Sequence, residues 1–309
     1  MNDPTDGSSD SEHPTPAVEG ESQAGFVALV GAPNVGKSTL LNRILGRTLS
    51  ITAPKPQTTR NRVLAVENRG ARQFVFLDTP GIHTAKGLIH DRMVGQARTS
   101  AREADLTCWI VDAERGMGRT DREEIGQLAD RPVVLALNKV DRIDPTKMLP
   151  IIGELAELLP DAACIPISAL KGEGVEQLME TLGDLLPKGP WLYDDDTLTD
   201  RNERFFVAEL VREQLFRQLR QELPYRVAVM VETFEKRGKK TFVSALVYTD
   251  SDSSKSMIIG KRGARIKQVG AIARTRIEEF LAEDVYLELL VKVKPGWQDD
   301  GRFLEELGI

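Results

Sequence analysis

The sequence predicts an α/β domain with a mostly parallel sheet covered by helices on both faces, followed by a separate α+β domain. Between residues 25 and 187, short apolar runs alternate with amphipathic segments, and this alternation is typical of a parallel sheet. The Pro-Lys-Gly-Pro sequence at 187–190 ends the alternation, and the polar stretch Asp194–Asp200 indicates a linker. The order then changes to helix, strand, strand, helix, helix, strand, so we expect a second core.

Each expected element is a run bounded by turn residues. In the first domain we expect strands at Phe26–Val30, Phe74–Leu77, Leu106–Val111, Pro132–Leu137 and Ala163–Ile167. The expected helices there are Ser38–Leu45, Ile89–Arg102, Asp121–Leu128, Met148–Leu158 and Val175–Leu185. In the second domain we expect a helix at about Phe205–Glu222, helices ending at Ile259 and Phe280, and strands at Arg226–Phe234, Lys240–Thr249 and Val285–Lys294.

The net charge of −6 arises at one end of the chain. Residues 1–24 contain six of the 47 acidic residues and no Lys or Arg, so the remainder carries equal numbers of acids and bases. This segment is also rich in Ser, Pro and Gly, and we expect a disordered acidic tail at 1–24. We divide the rest into a first domain at 25–187, a linker at 188–203 and a second domain at 204–309. Neither a signal peptide nor a membrane-span pattern is found, so we expect a cytosolic protein.

The first motif is a phosphate-binding loop. The segment Gly31–Ser38 has the spacing Gly-x-x-x-x-Gly-Lys-Ser and lies between an expected strand and an expected helix, as this motif requires. Glycines let backbone N–H groups surround phosphates, Lys37 reaches the β- and γ-phosphates, and the Ser38 hydroxyl is a ligand for Mg²⁺. We expect nucleotide contacts from Gly31, Ala32, Pro33, Asn34, Val35, Gly36, Lys37, Ser38 and Thr39.

The second motif is Asp-Thr-Pro-Gly at 78–81, directly after an expected strand. The Asp78 carboxylate would act on Mg²⁺, and the Gly81 N–H would contact the γ-phosphate. Many GTPases place a glutamine after this motif to orient the attacking water, but this chain has Ile82, which cannot hydrogen-bond a water. Hydrolysis is then either slow until a partner acts or assisted by a cation. We expect nucleotide contacts from Asp78, Thr79, Pro80, Gly81 and Ile82.

Two further motifs predict the base. Asn-Lys-Val-Asp at 138–141 follows an expected strand, and its final carboxylate, Asp141, can accept both the N1–H and the 2-amino group of guanine, which adenine does not offer. Ser-Ala-Leu at 168–170 follows the last expected strand of the domain, where the Ala169 N–H would contact guanine O6. The sequence therefore predicts GTP rather than ATP. The expected base contacts are Asn138, Lys139, Val140, Asp141, Ser168, Ala169 and Leu170.

The second domain carries the sequence Gly-Lys-Arg-Gly at 260–263 between two expected helices. This loop and the order of elements around it resemble a type II KH domain, whose glycines let a nucleic-acid backbone approach. Between Tyr225 and Arg276 there are 12 basic and 4 acidic residues, which favours contact with phosphates of single-stranded RNA. We expect RNA contacts from Ile259, Gly260, Lys261, Arg262, Gly263, Arg265 and Lys267.

Taken together, these motifs resemble the Era family of bacterial GTPases over about residues 25–309. The similarity also covers Gln-Thr-Thr-Arg at 57–60, Glu-Leu-Pro-Tyr at 222–225, the strand Tyr286–Lys294 and Trp297. It implies a Ras-like P-loop GTPase domain joined to a type II KH domain. It further implies binding near the 3′ end of 16S ribosomal RNA, a role in maturation of the small ribosomal subunit, and peripheral contact with the cell membrane.

The family resemblance also assigns roles at the phosphate end of the site. Related GTPases use the Thr before Arg as the switch ligand, which favours Thr59 over Thr58 for closing over Mg²⁺ and the γ-phosphate. Related GTPases with Asn in the phosphate loop and an apolar residue after Asp-x-x-Gly use K⁺, so Asn34 is a hypothetical K⁺ ligand; an Asn that only braces the loop is the alternative. The expected catalytic residues are Lys37, Thr59 and Gly81, and the expected Mg²⁺ ligands are Ser38, Thr59 and Asp78.

Three functions fit these motifs. In the first, a monomeric GTPase grips single-stranded RNA in one nucleotide state, which requires different RNA affinities in the two states. The second is an RNA chaperone with little GTP turnover. The third is a GTPase whose C-terminal domain contacts a protein or a membrane. The intact Lys37, Ser38 and Asp78 favour the first.

Overall fold

The first domain of the computed structural model is a six-stranded sheet covered by helices on both faces. The structure describes residues 22–53, 55, 57–82, 87–128 and 131–309, so most of the expected acidic tail lies outside the described residues. The strand order is β2-β3-β1-β4-β5-β6, and every neighbouring pair is parallel except β2 and β3. The strands are β1 (Gln23–Val30), β2 (Val63–Arg69), β3 (Arg72–Asp78), β4 (Leu106–Asp112), β5 (Val133–Asn138) and β6 (Ala163–Ile167).

Apolar side chains project from both faces of this sheet into a core on each side, which explains why its central strands are continuous apolar runs. One core lies between the sheet and α1 and α5, around Leu40 and Leu178. The other lies on the opposite face, around Trp109 and Leu135. The helices are α1 (Lys37–Leu45), α2 (Leu88–Glu103), α3 (Arg119–Gly126), α4 (Met148–Leu158) and α5 (Val175–Asp184).

Two features of this sheet were not expected from the sequence. Strand β2 was missed because it is an antiparallel edge strand whose last residues, Glu67–Arg69, are polar and only half-buried. Strand β1 begins at Gln23, earlier than the expected Phe26, because the Gln23 N–H donates to Ala71 and its side chain donates to Leu186. Both differences depend on strand neighbours that are distant in the sequence.

The second domain has a three-stranded sheet in the order β7-β8-β9, with β7 antiparallel and β9 parallel to β8. Its elements are α6 (Glu203–Gln218), β7 (Val227–Arg237), β8 (Lys240–Thr249), α7 (Asp252–Ile259), α8 (Ala264–Leu281), β9 (Asp284–Val293) and α9 (Gly301–Glu306). The predicted α/β domain followed by an α+β domain is thus confirmed. Helix α9 was not expected.

The two domains pack against each other. Ile89 and Met93 of α2 share a buried apolar cluster with Trp297, Phe303 and Ile309 near the C-terminus. The connecting residues do not form a free chain either: the Val66 N–H of edge strand β2 donates to Leu198, and the buried Gln73 side chain bonds to the backbone of residues 192 and 193. Helix α9 is stabilised by the apolar cluster that it shares with α2. Its short sequence alone therefore does not predict a helix.

Candidate nucleotide and RNA sites

The phosphate loop requires its glycines. Gly31 and Gly36 have φ of 146° and 105°, and a Cβ at Gly36 would lie 2.3 Å from Asn138 Nδ2. A Cβ at Gly31 would lie 2.4 Å from the carbonyl oxygen of Ile110. Asn34 also has a positive φ, 66°, which Asn tolerates better than most residues. The loop therefore turns tightly before α1, with the N-terminus of that helix facing the expected phosphates.

Lys37 is buried and folds back over the loop. Its Nζ donates to the carbonyl oxygens of Gly31 and Ala32, at 2.9 and 3.0 Å. Burial lowers the pKa of Lys37 to about 8, and the nearby Asp78 carboxylate partly opposes this shift. Both hydrogen bonds of Lys37 go to neutral carbonyl groups, and an anion stabilises a buried cation, so the side chain is well placed for a phosphate.

Three oxygens meet beside Lys37. Ser38 Oγ donates to Asp78 Oδ2 at 2.8 Å and lies 2.9 Å from Thr59 Oγ1. Asp78 is fully buried, and burial raises its pKa; its Oδ1 makes no hydrogen bond to any described residue. Two hydroxyls and a carboxylate with an unpaired oxygen are hard ligands, so this cluster fits Mg²⁺.

The Asp-Thr-Pro-Gly motif packs directly on the phosphate loop. Thr79 Oγ1 donates to the Leu29 carbonyl at 2.7 Å, and a Cβ at Gly81 would lie 2.7 Å from Pro33 Cα. The Ile82 N–H donates to Gly31, while its side chain is buried in the apolar cluster around Trp109. The Ile82 side chain thus packs in the core and offers no hydrogen bond to a water.

Asn138 links the base-binding segments to the phosphate loop. Its Nδ2 donates to the Val35 carbonyl at 2.6 Å, and its Oδ1 accepts from the Ala169 N–H at 2.9 Å. Lys139 has a left-handed backbone, and its Nζ donates to the Asn34 carbonyl at 2.7 Å and to Asp112 Oδ2 at 2.5 Å. In this structure the Ala169 N–H, which we expected on guanine O6, is bonded to Asn138.

The other base-binding residues lie around this link. Asp141 is half-buried in the 3-10 turn Val140–Arg142, and buried Ser168 accepts from the Lys171 N–H at 3.2 Å through its Oγ. Leu170 is exposed, and the Arg43 guanidinium donates to its carbonyl oxygen. An open cleft of about 260 Å³ lies at the phosphate end of the site, and Pro33, Asn34, Gly36, Lys37, Ser38, Thr39, Thr59, Gly81 and Lys139 line it. Ala169 and Leu170 line a second cleft, which shares Thr39 with the first.

Sequence reasoning missed three charged residues of this region. Asp112, which pairs with Lys139, ends β4, and the carboxyl ends of parallel strands meet at one edge of a sheet; that rule was the available signal. Arg115, in the loop after β4, and Arg142, at the end of the 3-10 turn, line the cleft around Lys37 and carried no sequence signal. The segment 56–60, which contains Thr59, is where we expect the first switch, and its residue Pro56 lies outside the described residues.

The Gly-Lys-Arg-Gly loop joins α7 and α8 by an exposed turn. Gly260 has φ 72° and ψ 174°, a conformation essentially restricted to glycine, and a Cβ there would lie 2.8 Å from the Arg265 Cβ. Arg262 and Gly263 also have positive φ, and Lys261 and Arg262 are exposed. The remaining expected RNA contacts lie beside this turn: Ile259 is half-buried, Lys267 is exposed, and Arg265 donates to the Met257 carbonyl.

Comparison with known proteins identifies both domains. Residues 26–139 match the family model described as a 50S ribosome-binding GTPase, and residues 222–298 match the KH domain model. The GTPase Era of Geobacter metallireducens is 45% identical over 290 residues, which are 93% of this chain and 97% of that protein. The chain belongs to the Era family of GTPases. The Lactobacillus delbrueckii subsp. bulgaricus member is 43% identical and covers 93% of this chain and 96% of its own.

Solved Era structures agree over nearly the whole chain. One is Era in complex with MgGDPNP and nucleotides 1506–1542 of 16S ribosomal RNA; it is 39% identical, has a TM-score of 0.89, and covers 93% of this chain and 99% of its own. A variant of Aquifex aeolicus Era bound to GDP and AlF₄⁻ gives the same four values.

The predicted family, the GTPase–KH architecture and GTPase activity are therefore confirmed for this Era-family chain. Among the residues that the structure describes, no helix combines the length and hydrophobicity needed to span a bilayer. The Era relationship also explains why the two motif sets occur in one chain, since the solved members carry both domains over the same length.

Proposed function

We propose that this Era-family GTPase is a GTP-dependent switch that binds single-stranded RNA at the 3′ end of 16S ribosomal RNA during biogenesis of the small ribosomal subunit. The observation that carries the proposal is the match, over 93% of the chain, to an Era that was solved with MgGDPNP and nucleotides 1506–1542 of that RNA. The exposed basic Gly-Lys-Arg-Gly turn supports it. The domain limits that we propose are 25–187, 188–203 and 204–309.

At the nucleotide site, we propose a role for each expected residue. Ser38, Thr59 and Asp78 would hold Mg²⁺, which neutralises phosphate charge when bound. Lys37 contributes a fixed positive charge to the β- and γ-phosphates, and the phosphate-loop N–H groups bind their oxygens. Asp141 selects guanine by accepting two of its N–H groups.

Hydrolysis must proceed without a glutamine after Asp-x-x-Gly. Ile82 is buried among apolar side chains, so charge stabilisation has to come from elsewhere. We propose that Asn34, which lines the same cleft as Lys37 and Ser38, helps to bind K⁺ beside the phosphates. The GDP and AlF₄⁻ complex of an Era variant shows that this family accommodates a mimic of the transferred phosphoryl group.

At the RNA site, Gly260 and Gly263 let the RNA backbone approach, and Lys261 and Arg262 contact phosphates. Arg265 and Lys267, on the first turn of α8, extend the same positive surface. Contact with the cell membrane, a monomeric state and a cytosolic location stay predictions from the sequence.

The decisive experiment measures affinity for a short single-stranded RNA that copies the 3′ end of 16S ribosomal RNA. The full chain is loaded with a non-hydrolysable GTP analogue, loaded with GDP, or left empty. We expect tight binding with the GTP analogue and weaker binding in the other two states. Equal affinity in all three states would remove the switch, and no binding at all would leave the ligand of the KH domain unassigned.

Two double variants test whether RNA binds at the Gly-x-x-Gly turn. Replacing Lys261 and Arg262 with Ser together should lower RNA affinity by about 10- to 100-fold if each contributes about one phosphate contact. The control replaces Lys239 and Lys240 with Ser, since these exposed cations lie at the β7–β8 turn of the same domain. An equal loss in both pairs would indicate nonspecific attraction rather than binding at the Gly-x-x-Gly turn.

A further inference from the structure

The backbone next to the expected switch threonine is held by the second domain. Arg212, on α6, is 3% exposed, and its Nη2 donates to the carbonyl oxygen of Thr58 at 2.5 Å. Its Nε donates to Glu209 Oε1 at 2.7 Å, and its guanidinium lies 5.2 Å from the centroid of the Phe216 ring. A buried side chain of the second domain therefore fixes the residue immediately before Thr59.

The residue immediately after Thr59 is held by the same domain. Arg60 is 5% exposed, and its Nη1 and Nη2 donate to the carbonyl oxygens of Val227 and Tyr225, at 2.6 and 3.0 Å. Burial, with the nearby charge of Arg212, lowers the pKa of Arg60 to about 9, so the guanidinium stays protonated at neutral pH. Both neighbours of Thr59 are thus bonded across the domain interface.

The Thr59 hydroxyl lies beside the other two expected Mg²⁺ ligands of the nucleotide site. Its Oγ1 lies 2.9 Å from Ser38 Oγ, which donates to Asp78. Hydrogen bonds weaken steeply with distance and angle, and a displacement of about 1 Å at a reacting site can cost about 100-fold in rate. The position of Thr59 therefore depends on what holds residues 58 and 60.

We propose that Arg212 is a positioning residue for the nucleotide site: by holding the Thr58 carbonyl it places the Thr59 hydroxyl beside Ser38, so that the KH-domain side completes the γ-phosphate end of the site. The inference rests on the proposed role of Thr59. It makes discrimination between GTP and GDP a property of both domains. GDP lacks the γ-phosphate over which Thr59 closes, so loss of Arg212 weakens binding of a GTP analogue and leaves GDP binding unchanged.

The test compares Arg212→Met with Arg217→Met in the full chain. Arg217 lies on the same helix and contacts the same loop, but at Thr52, where its Nη2 donates to the carbonyl oxygen at 2.9 Å. We expect Arg212→Met to lower the ratio of GTP-analogue affinity to GDP affinity by about tenfold, and Arg217→Met by less than about twofold. The Mg²⁺ concentration needed for half-maximal binding of the analogue should rise in the first variant only.

A second variant separates positioning from folding. Arg212→Met alone leaves the Glu209 carboxylate without its buried partner, which destabilises the chain. The double change Arg212→Met with Glu209→Met removes both charges. If this double variant has the same melting temperature as the parent and its ratio of GTP-analogue affinity to GDP affinity is still lowered, the proposal holds. An unchanged ratio, or an equal fall in GTP-analogue and GDP affinity, would overturn it.

Thr59→Ala, measured in parallel, identifies which statement fails. If Thr59→Ala does not change the affinity ratio, the proposed role of Thr59 is wrong, whatever Arg212 does. If Thr59→Ala lowers the ratio but Arg212→Met does not, only the positioning role is wrong. If Arg212 acts through Thr59, the double variant Arg212→Met with Thr59→Ala should have nearly the same affinity ratio as Thr59→Ala alone.

Discussion

The two ligand sites of this chain use charge in opposite ways. At the nucleotide site Lys37 and Asp78 are buried, and each is hydrogen-bonded to the backbone or to another side chain. At the KH turn Lys261 and Arg262 are exposed. Buried charges act strongly over short distances but need defined partners, whereas exposed charges act weakly, over longer distances and in a salt-dependent way. The first arrangement suits selection of one small ligand, and the second suits a flexible polyanion.

The largest expected effect tests the selectivity of the buried site. Asp141→Asn replaces the proposed acceptor of two guanine N–H groups with an amide that presents a donor as well, so GTP affinity should fall by about 100- to 1,000-fold. Asp144→Asn is the matched control, because Asp144 is exposed and only caps the following turn. Titration with a fluorescent GTP analogue measures both variants. A similar small loss in the two would show that Asp141 does not contact the base.

The next effect contrasts the salt dependence of the two sites. Raising NaCl from about 50 to about 200 mM should lower RNA affinity by about 50-fold if about four phosphates are contacted. Nucleotide affinity should change by less than about threefold over the same range, since buried pairs are screened little. Both titrations are done at constant K⁺ and Mg²⁺. Equal salt dependence at the two sites would contradict the comparison.

A smaller effect follows from the pKa of Lys37, which burial lowers to about 8. Bound phosphate raises this pKa, so nucleotide affinity is full below pH 8 and falls as the pH rises through it. Between pH 7 and pH 9 the GDP affinity should fall by about tenfold. Lys37→Arg should give a flatter pH profile, because the arginine stays protonated. The pH dependence that remains in this variant measures the titration of guanine itself. RNA affinity measured at the same pH values should not follow the Lys37 curve.

The smallest expected effect concerns the cation. Replacing K⁺ with Na⁺ at equal ionic strength should slow GTP turnover by about fivefold, through loss of charge stabilisation near Asn34. Asn34→Ala should remove this difference, and RNA affinity should be the same in both salts. An unchanged turnover rate in Na⁺ would leave Asn34 as a residue that braces the loop.

The sequence predicted the chemistry of the nucleotide site better than its surroundings. Gly31–Ser38 and Asp78–Gly81 were found because their spacing meets a local backbone requirement, which a few consecutive residues express. Asp112 and Arg115 were missed because they reach the site from a segment that contains none of the motifs. Strand β2 and helix α9 were missed for a related reason, since each is stabilised by neighbours remote in the chain.

What the sequence determined by itself was the GTP and Mg²⁺ chemistry, the two types of domain and the family, since motifs, periodicity and turn residues are local properties. Only the tertiary structure showed that Arg60 bonds to the second domain and that Arg212 of that domain bonds to Thr58, so that both neighbours of Thr59 are held across the interface. It also showed that Gln73 joins the connecting segment to the sheet. These contacts are made by arginine and glutamine side chains that belong to no local sequence motif. Whether such a polar side chain is buried and hydrogen-bonded is decided only when segments distant in the sequence pack together.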